Sequence, residues 1–422
     1  MGWTVERLIE EIDLLGSRGP PREEFFAELS PRLRNVIDND ASCWHTLDPS
    51  TRLLTSDAPK ELIERGVFAL DEAPAAGGLI VRSEYMVDDV NTFAGLAARR
   101  VPVGILDHAT RGDPQRSARY RDLLLPADIP HELRGSFVIR GRVWGAVHIA
   151  RRASSGAFQQ RDADALAALT GAIARGIRAS LRFDAARRIT GIEAPGMVVL
   201  GPRDELELIT APARELLASL HPEESGYTDE TIATPVLALA SFVRSAPDGG
   251  QRGGNVVTVP GSDGWVTLHA SLPGPPDDGR VAVVLERATG TRSATVRLEA
   301  FGATAREREV ATLLARGLSR AEMAETLVVS PHTVEDHVKN LYGKVGVASR
   351  QELVARVFLD EYLPEVARQT PLTSRGRFDR DNEARVVAGS SSSARRDRAT
   401  SSVTMAQSRS NAAWMASESA CS

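Results

Sequence analysis

A run of hydrogen-bonding side chains occupies the segment SPHTVEDHVKN, residues 330–340. Ser330 is a residue type that caps helices and Pro331 suits a first helical position, so a helix is predicted to begin here. At about 100° per residue, Val334 and Val338 fall on one face of this helix. The opposite face carries both charge signs: His332, Asp336 and Lys339, flanked by Glu335 and Asn340. Such a face can bond base edges and phosphates.

Two acids on this face, Glu335 and Asp336, oppose simple attraction to a polyanion. Between residues 298 and 356 there are eight basic and eight acidic residues, so this part of the chain is neutral. Its non-specific affinity for phosphates should therefore be weak, and dimerisation would have to add to it. A carboxylate in the major groove can nevertheless accept a hydrogen bond from cytosine N4. Our hypothesis is that the two acids trade affinity for selectivity.

Four predicted helices fix the direction of this polar face. Three of their starts carry the capping-box pattern, in which Ser or Thr is followed three residues later by Glu. The pairs are Thr304 and Glu307, Ser319 and Glu322, and Ser349 and Glu352. The predicted helices are 305–316, 319–327, 331–345 and 350–361. Because only the short break 328–330 separates the second helix from the third, the pattern indicates a helix-turn-helix.

Residues 303–355 resemble the LuxR-type (FixJ/NarL-type) DNA-binding domain along its whole length. The matching elements are T-x-R-E-R-E-V, G-L-S-x-x-E-M-A, S-x-x-T-V-x-x-H, K-V-G-V and S-R-x-E-L-V. The resemblance implies an all-α, four-helix domain whose third helix enters the major groove of DNA, usually as a dimer. The layout of the whole chain resembles that of actinobacterial regulators with a GAF-like N-terminal domain.

The resemblance also implies which side chains contact DNA. Thr333, Lys339 and Lys344 correspond to phosphate or base-edge contacts, and Ser349 and Arg350 to backbone contacts. With the polar face, the predicted DNA-binding set is Ser330, His332, Thr333, Glu335, Asp336, Lys339, Asn340, Lys344, Ser349 and Arg350. Glu335 departs from the family pattern, which often has Lys, Arg or Gln there, so the base preference does not carry over.

The remainder of the chain is predicted to form two further domains and a tail. Residues 1–190 form an α/β, GAF-like sensor domain that ends in a long helix, about 161–188. Within it, the RGR turn at 140–142 between two apolar runs predicts a β-hairpin. Residues 191–290 form a smaller α+β, PAS-like domain, and 291–297 are a short linker to the helical domain at 298–363. Residues 366–422 are rich in Ser, Arg and Ala with few apolar residues, so we predict a disordered tail.

The long helix and the tail each leave two interpretations open. Leu166, Leu169, Ile173, Ile177 and Leu181 form one apolar stripe along the helix. This stripe either packs on its own domain or forms the seam of a dimer. The tail has nine arginines and five acids, so it is either simply solvated or adds weak, sequence-independent DNA affinity.

Candidate ligand-binding residues in the sensor domain are aromatic or titratable. They are Trp44, Tyr85, Trp144 and His148, with Asp88 and Asp89 beside Tyr85. The alternative for each is an ordinary core or loop residue. The sequence contains neither H-x-x-x-H nor H-E-x-x-H, and no G-x-x-x-x-G-K-[ST], so we expect no metal site, no ATPase and no cofactor.

Composition limits the other classes of function. The chain has 422 residues, a net charge of −5 and two cysteines, Cys43 and Cys421, which argues against a disulfide framework. Its N-terminus has acids where a signal peptide needs a basic and then apolar run, and no run of 18 apolar residues occurs. We therefore expect a cytoplasmic location.

The sequence thus predicts a sequence-specific DNA-binding transcription regulator and not an enzyme. Its expected partners are double-stranded promoter DNA, a second copy of the chain, a small-molecule ligand and RNA polymerase. The alternative is a protein-binding regulator with weakened DNA binding, which Glu335 and Asp336 make conceivable. An enzyme in the N-terminal half is the least favoured, because no nucleophile, base and orienting group lie at suitable spacing.

Overall fold

The structure is a computed structural model, and eight stretches of the chain are described. They are residues 4–185, 194–221, 231–246, 255–262, 264–274, 278–288, 290–354 and 356–357. All of them belong to one compact unit, Met1–Phe358. The predicted disordered tail, 366–422, lies outside the described residues.

The first sheet has five strands in the order β2-β1-β5-β4-β3. The strands are β1 (Ala41–Leu47), β2 (Leu54–Ala58), β3 (Val103–Ile105), β4 (His131–Ile139) and β5 (Arg142–Arg151). All neighbouring pairs are antiparallel, so the domain is α+β and not α/β as predicted. The predicted hairpin is confirmed: Arg140 and Gly141 join β4 to β5 with φ of 51° and 74°, the left-handed values that a two-residue turn needs.

Helices cover both faces of this sheet. They are α1 (Val5–Arg18), α2 (Arg22–Arg34), α3 (Lys60–Glu64), α4 (Ala73–Tyr85), α5 (Phe93–Ala97), α6 (Leu106–Ala109) and α7 (Gln160–Ala185). α7 packs on β4 and against α1 and α2, whereas α3, α4, α5 and α6 lie on the other face. α1 and α7 cross closely at Gly16 and Gly176, because a Cβ on Gly16 would lie 3.1 Å from the Cα of Gly176.

The apolar stripe of α7 packs inside its own chain. Leu166, Leu169, Ile173 and Ile177 are completely buried, and Leu181 is 4% exposed. They join one core with α1, α2 and the sheet. This settles the two interpretations of the stripe in favour of packing on its own domain, because no part of it is left for a dimer seam.

The second sheet repeats the strand order of the first, as β7-β6-β10-β9-β8. Its strands are β6 (Gly196–Leu200), β7 (Leu206–Ile209), β8 (Val256–Gly261), β9 (Gly264–Ser271) and β10 (Val281–Arg287). Two helices pack on it, α8 (Ala211–Ala218) and α9 (Thr234–Ser245), and α9 also contacts α4. The GAF-like and PAS-like assignments of the two domains stay predictions.

The predicted linker at 291–297 is wrong, because a helix, α10 (Gly290–Ala300), runs through it. Ala294 and Leu298 are 1% and 2% exposed in the core of the helical domain, and Ala300 joins the core of the first domain. The sequence did not reveal this helix because it has few large apolar residues. Its burial comes from small side chains held between two domains.

Four helices follow α10, close to their predicted positions. They are α11 (Ala305–Ala315), α12 (Arg320–Leu327), α13 (Pro331–Val345) and α14 (Arg350–Val354). The first three match the prediction to within one residue at each end. The fourth was predicted to reach residue 361, and residues 358–361 lie outside the described part of the chain.

A buried network of charges stabilises the first domain. Arg119 makes two hydrogen bonds of 2.8 Å to Glu132, and Arg134 lies 2.7 Å from Glu84, with all four side chains at most 2% exposed. Burial alone would raise the pKa of Glu132, but Arg119 and Arg134 outweigh it and lower that pKa to about 2. Asp89, a predicted ligand candidate, belongs to this network 3.6 Å from Arg119.

This network makes the stability of the first domain dependent on pH. Because the pKa of Glu132 falls from 4.5 to about 2 on folding, its carboxylate contributes about 3 kcal/mol above pH 4.5. That contribution is lost as the pH falls from 4.5 towards 2. We expect Glu132→Gln to be destabilised by about 3 to 5 kcal/mol at pH 7 and to lose this dependence, since it removes the carboxylate that Arg119 bonds at 2.8 Å. Urea unfolding followed by tryptophan fluorescence measures both effects.

The matched control is Glu64→Gln, since the side chain of Glu64 is 62% exposed and pairs only with Lys60 at 3.8 Å among the described residues. Its stability should stay within about 0.5 kcal/mol of the parent. A Glu132→Gln protein as stable as this control would contradict the role of the network.

Candidate nucleic-acid interface

The helical domain is held together by the capping bonds that its sequence predicts. Thr304 and Ser319 each accept from the backbone N–H three residues on, and Glu307 and Glu322 accept from the capping residues in return. At the fourth helix, Ser349 accepts from Glu352 N at 3.1 Å, but the Glu352 carboxylate accepts from Ala348 N instead. The caps fix where each helix begins and therefore how α13 lies on the others.

α13 begins and ends where its sequence predicts. Ser330 Oγ accepts from Thr333 N at 3.1 Å and lies 2.8 Å from Thr333 Oγ1, so both predicted DNA contacts also form the cap. Gly346 closes the other end with φ of 72°. Val334, Leu341 and Val345 are buried in the domain core. These contacts fix the rotation of the helix and turn its polar side outward.

The outward side of α13 is the polar face that the sequence predicts. His332, Glu335, Asp336, Lys339 and Asn340 are all exposed. On the same side, a Cβ added to Gly343 would meet no atom within 4 Å, so nothing in the described structure covers the helix there. The face is therefore free to meet another surface.

Both acids on this face have cationic or ionisable neighbours. Glu335 Oε1 lies 3.4 Å from Arg320 of α12, and Asp336 Oδ2 lies 3.3 Å from His332 Nδ1. All four side chains are more than half exposed, so each contact contributes little to stability. Lys339 has no ion pair or hydrogen bond among the described residues. Arg320 is absent from the predicted DNA-binding set, although its position in the first turn of α12 was a signal for it.

Three predicted DNA contacts are instead engaged within the domain. Lys344 Nζ lies 2.6 and 2.7 Å from the two carboxylate oxygens of Glu307. Burial of Glu307 would raise its pKa, but Lys344 and Thr304 lower it below its usual value. Arg350 donates to the carbonyls of Leu314 and Leu318, and Ser349 caps α14 as described. DNA contact through these three residues stays a prediction.

The same domain is anchored to the first sheet by one buried carboxylate. Glu299 at the end of α10 is 4% exposed, and its Oε1 lies 2.7 Å from Arg142 of β5 and 3.2 Å from Arg308 of α11. Ser50 of the first domain donates to the same oxygen at 3.4 Å. We call Glu299, Arg142 and Arg308 the Glu299 cluster. The sequence gives no sign of the Glu299 cluster, because Arg142 is 157 residues and Arg308 nine residues from Glu299 in the chain.

The predicted ligand-binding residues do not converge on one site. Trp44 and Trp144 face α2 and α7, where Trp44 donates to Ser30 at 2.7 Å and Trp144 lies 5.2 Å from the guanidinium of Arg178. Trp44 also lines a groove of about 540 Å³ between α2 and α3. Tyr85 and His148 lie on the opposite side of the sheet.

Those two residues also have different surroundings. Tyr85 Oη accepts from Leu54 N at 2.9 Å, a contact that fixes β2 rather than a ligand. His148 lines a small cavity together with Cys43 and His45. β5 has a bulge at Trp144, which is skipped between the pairs Phe137–Gly145 and Val138–Val143, and this bulge turns Trp144 and His148 to opposite faces of the sheet. Ligand binding by any of them stays a prediction.

Two negative findings apply to the described part of the chain. It contains no group of three or more His, Cys, Asp or Glu side chains placed to hold a metal ion. Among its helices, none is both long enough and apolar enough to cross a membrane.

Comparison with known proteins identifies the domain that carries this face. Residues 303–357 match the family of bacterial regulatory proteins described as "luxR family". This segment is therefore a LuxR-type helix-turn-helix domain, as its sequence motifs predict. The match covers only this part of the chain.

Most curated relatives match over short stretches of 50 to 55 residues. The chain is 47% identical over 51 residues to the "Putative HTH-type transcriptional regulator Mb0914c" of Mycobacterium bovis, covering 12% of this chain and 6% of that protein. It is 47% identical over 55 residues to the "Transcriptional regulatory protein UhpA" of Escherichia coli, covering 13% and 28%. A longer match, 32% identical over 141 residues, links it to the "Probable HTH-type transcriptional regulator GfsR" of Streptomyces halstedii, covering 33% and 47%.

The chain thus spans less than half the length of each of these relatives, so their activities do not transfer to it as a whole. Among solved structures, the phage VqmA–DPO complex is 19% identical and covers 42% of this chain and 90% of that chain, with a TM-score of 0.17. So low a score gives no basis for comparing how domains are arranged.

The two lysines of α13 should respond differently to substitution. Lys339→Gln removes the exposed cation, so we expect DNA affinity to fall uniformly across sequences and the salt slope to decrease by about one, with no change in thermal stability. Lys344→Gln breaks the contact with Glu307 and should lower the thermal midpoint of the domain. Binding titrations at several salt concentrations and thermal unfolding of the two variants provide the comparison. An unchanged salt slope in Lys339→Gln would exclude a phosphate contact by Lys339.

Proposed function

We propose that this chain is a sequence-specific DNA-binding transcription regulator that reads double-stranded promoter DNA with α13. The observation that carries the proposal is the exposed polar face of α13 in a domain that matches the LuxR-type family. A capped helix whose opposite side is fixed in a core can enter a major groove with its polar side chains directed at the bases. We expect no enzymatic activity.

Base readout rests on the residues of this face, and phosphate contact on Lys339. Glu335 and Asp336 can accept hydrogen bonds from cytosine N4, while they repel phosphates that approach in a wrong register. Arg320 lies beside Glu335 and is 62% exposed, so it can leave the carboxylate and contact the DNA backbone. This exchange of partners favours DNA sequences in which a base donates a hydrogen bond to Glu335 while Arg320 contacts a phosphate.

Dimerisation supplies the affinity that a neutral domain lacks. Between residues 298 and 356 the helical domain has equal numbers of acidic and basic residues, so one copy gains little from releasing counterions. Two linked copies on adjacent half-sites convert the second binding event into an intramolecular one. We therefore propose a homodimer that acts in the cytoplasm and affects transcription by RNA polymerase.

The N-terminal domains, which we propose to be GAF-like and PAS-like, respond to a ligand or partner. The Glu299 cluster supports this part of the proposal, since it joins β5 of the first sheet to α11 of the DNA-binding domain. Arg178 of α7 adds a second connection by donating to the carbonyl of Ala300 at 3.0 Å. A displacement of β5 in the first sheet would therefore be transmitted to the helix-turn-helix through these contacts.

A protein-binding regulator with weakened DNA binding is the second candidate. It is favoured by one observation, the pair of acids on the exposed face of α13. In that case the face would recognise a basic protein surface. The two candidates differ in their response to nucleic acid and to salt.

DNA selection tests the function and the role of the acids together. The full chain should bind fragments selected from a random DNA pool, as seen in mobility-shift assays, and binding should weaken as salt rises. In Glu335→Gln and Asp336→Asn, non-specific affinity should rise and the selected motif should change at one or two positions, by about 1 to 3 kcal/mol per base pair.

Two results would count against these assignments. An unchanged selected motif in both variants would exclude base readout by the acids. No salt-sensitive binding by a folded dimer, with binding gained in Glu335→Lys, would favour the protein-binding alternative.

The coupling through α10 makes a separate prediction. Glu299→Gln leaves Arg142 and Arg308 facing each other without a carboxylate, which should cost about 2 kcal/mol locally. We expect amide hydrogen exchange in α10 and the first turn of α11 to accelerate about thirtyfold. The control is Glu309→Gln, because Glu309 is 51% exposed on the same helix and pairs with Arg306. Equal exchange in the two variants would show that the Glu299 cluster does not hold the domains together.

A further inference from the structure

A small cavity lies under α4, between the first sheet and α9. Its volume is about 30 Å³, enough for about two waters. Cys43, His45 and His148 of β1 and β5 line its floor, and Thr234 at the start of α9 lies at one side. The other walls are mostly apolar, with Leu62, Phe68, Ala76, Ile80 and Leu123, and Asp57 of β2 adds one carboxylate, which disfavours an anionic occupant. The cavity is therefore lined by both N-terminal domains.

The floor of this cavity contains unsatisfied hydrogen-bonding groups. His45 and His148 are each 3% exposed. Neither ring nitrogen of His45, nor Nε2 of His148, has a hydrogen-bond partner among the described residues. The backbone of Ser56 interacts with the His45 ring and raises its pKa, but the contact does not meet the geometry of a hydrogen bond. Buried polar atoms in folded proteins are nearly always paired, so two such side chains in one cavity point to a missing partner.

Both imidazoles are neutral near pH 7. Burial, together with the nearby Arg134 and His148, lowers the pKa of His45 to about 3. Burial also lowers the pKa of His148 to about 4, although Glu132 opposes this at 3.6 Å. A neutral imidazole offers one donor and one acceptor. Together with apolar walls, this lining suits an uncharged molecule with a donor and an acceptor on a compact apolar body.

The wall formed by α4 is weaker than the rest. Its N-cap residue, Glu72, makes no side-chain capping bond, and the helix contains Gly78. A Cβ on Gly78 would meet nothing within 4 Å and its φ is not in the left-handed region, so neither packing nor backbone conformation requires glycine there. Glycine in a helix interior lowers its stability. The first half of α4 is thus the part of the wall that can move at the lowest cost.

We propose that this cavity is the contracted form of a binding site for a small uncharged molecule, held by hydrogen bonds to His45 and His148 and admitted by movement of the first half of α4. The inference rests on the ligand response in the proposed function and names its site and ligand class. Because α9 lies against α4, the movement of α4 reaches the second domain directly.

The test uses the full chain and three ring-shaped probes of similar size. 2-Pyridone is uncharged with a donor and an acceptor, benzene has neither, and benzoate is charged. Affinities come from ligand-observed NMR titrations. We expect 2-pyridone to bind at least tenfold more tightly than the other two, and His45→Leu to abolish that difference. Equal affinities, or no binding by any probe, would overturn the proposal.

A second pair of variants leaves the cavity lining intact. Gly78→Ala should raise the thermal midpoint and weaken 2-pyridone binding about fivefold, because the Gly-to-Ala gain in helix stability opposes opening. Gly171→Ala on α7 is the matched control, since its Cβ would meet only Arg175 at 3.7 Å and α7 lies on the opposite side of the sheet. It should raise stability without changing binding. Equal affinity in the two variants would exclude the moving wall.

DNA binding separates this inference from the proposed function. A decrease or increase in DNA affinity on adding 2-pyridone supports both. Tight 2-pyridone binding with unchanged DNA affinity supports the site and contradicts the ligand response.

Discussion

The carboxylate of Glu299 is the buried contact that ties the first sheet to the helical domain. It is nearly completely buried, and two guanidinium groups from different domains lie within 3.2 Å of one oxygen. A buried carboxylate is tolerated only while such partners stay in place. The first sheet and α11 are therefore held at a defined separation, with α10 as the rigid element between them. An apolar contact of similar area would let the first sheet and α11 slide past each other, whereas the paired charges at Glu299 oppose such sliding.

α13, the helix proposed to read DNA, follows the opposite electrostatic rule. Its charges are exposed and loosely paired, so each contact contributes little to folding and its partners can be exchanged. The cation that stabilises the domain, Lys344, is held by Glu307 behind the exposed face. Folding and recognition thus use different charges of the same helix. This separation lets the outer face vary in sequence without loss of the fold.

The first sheet carries an unusual layer of polar side chains on the face that meets α4. Arg134, Glu132 and His148 lie side by side on β4 and β5, and His45 lies on β1. The charged members form ion pairs with one another, whereas His45 makes no hydrogen bond through either ring nitrogen among the described residues. The ion network keeps this part of the sheet rigid. The neighbouring wall, α4, lacks a side-chain capping bond. The cavity therefore lies between the sheet, which is held by ion pairs, and a helix that can move more easily.

The sequence by itself determined the helix-turn-helix, because its caps, apolar stripes and turns are local patterns that each specify one element. The ends of α11, α12 and α13 and the polar face of α13 follow from residues within a few turns of one another. It also gave the β4–β5 hairpin through the turn at Arg140 and Gly141. Only the tertiary structure decided that Lys344 and Arg350 turn inward, that Trp44 and His148 lie on opposite faces of a sheet, and that a helix replaces the predicted linker. These outcomes depend on residues far apart in the chain, such as Arg142 and Glu299, whose pairing leaves no periodicity in the sequence.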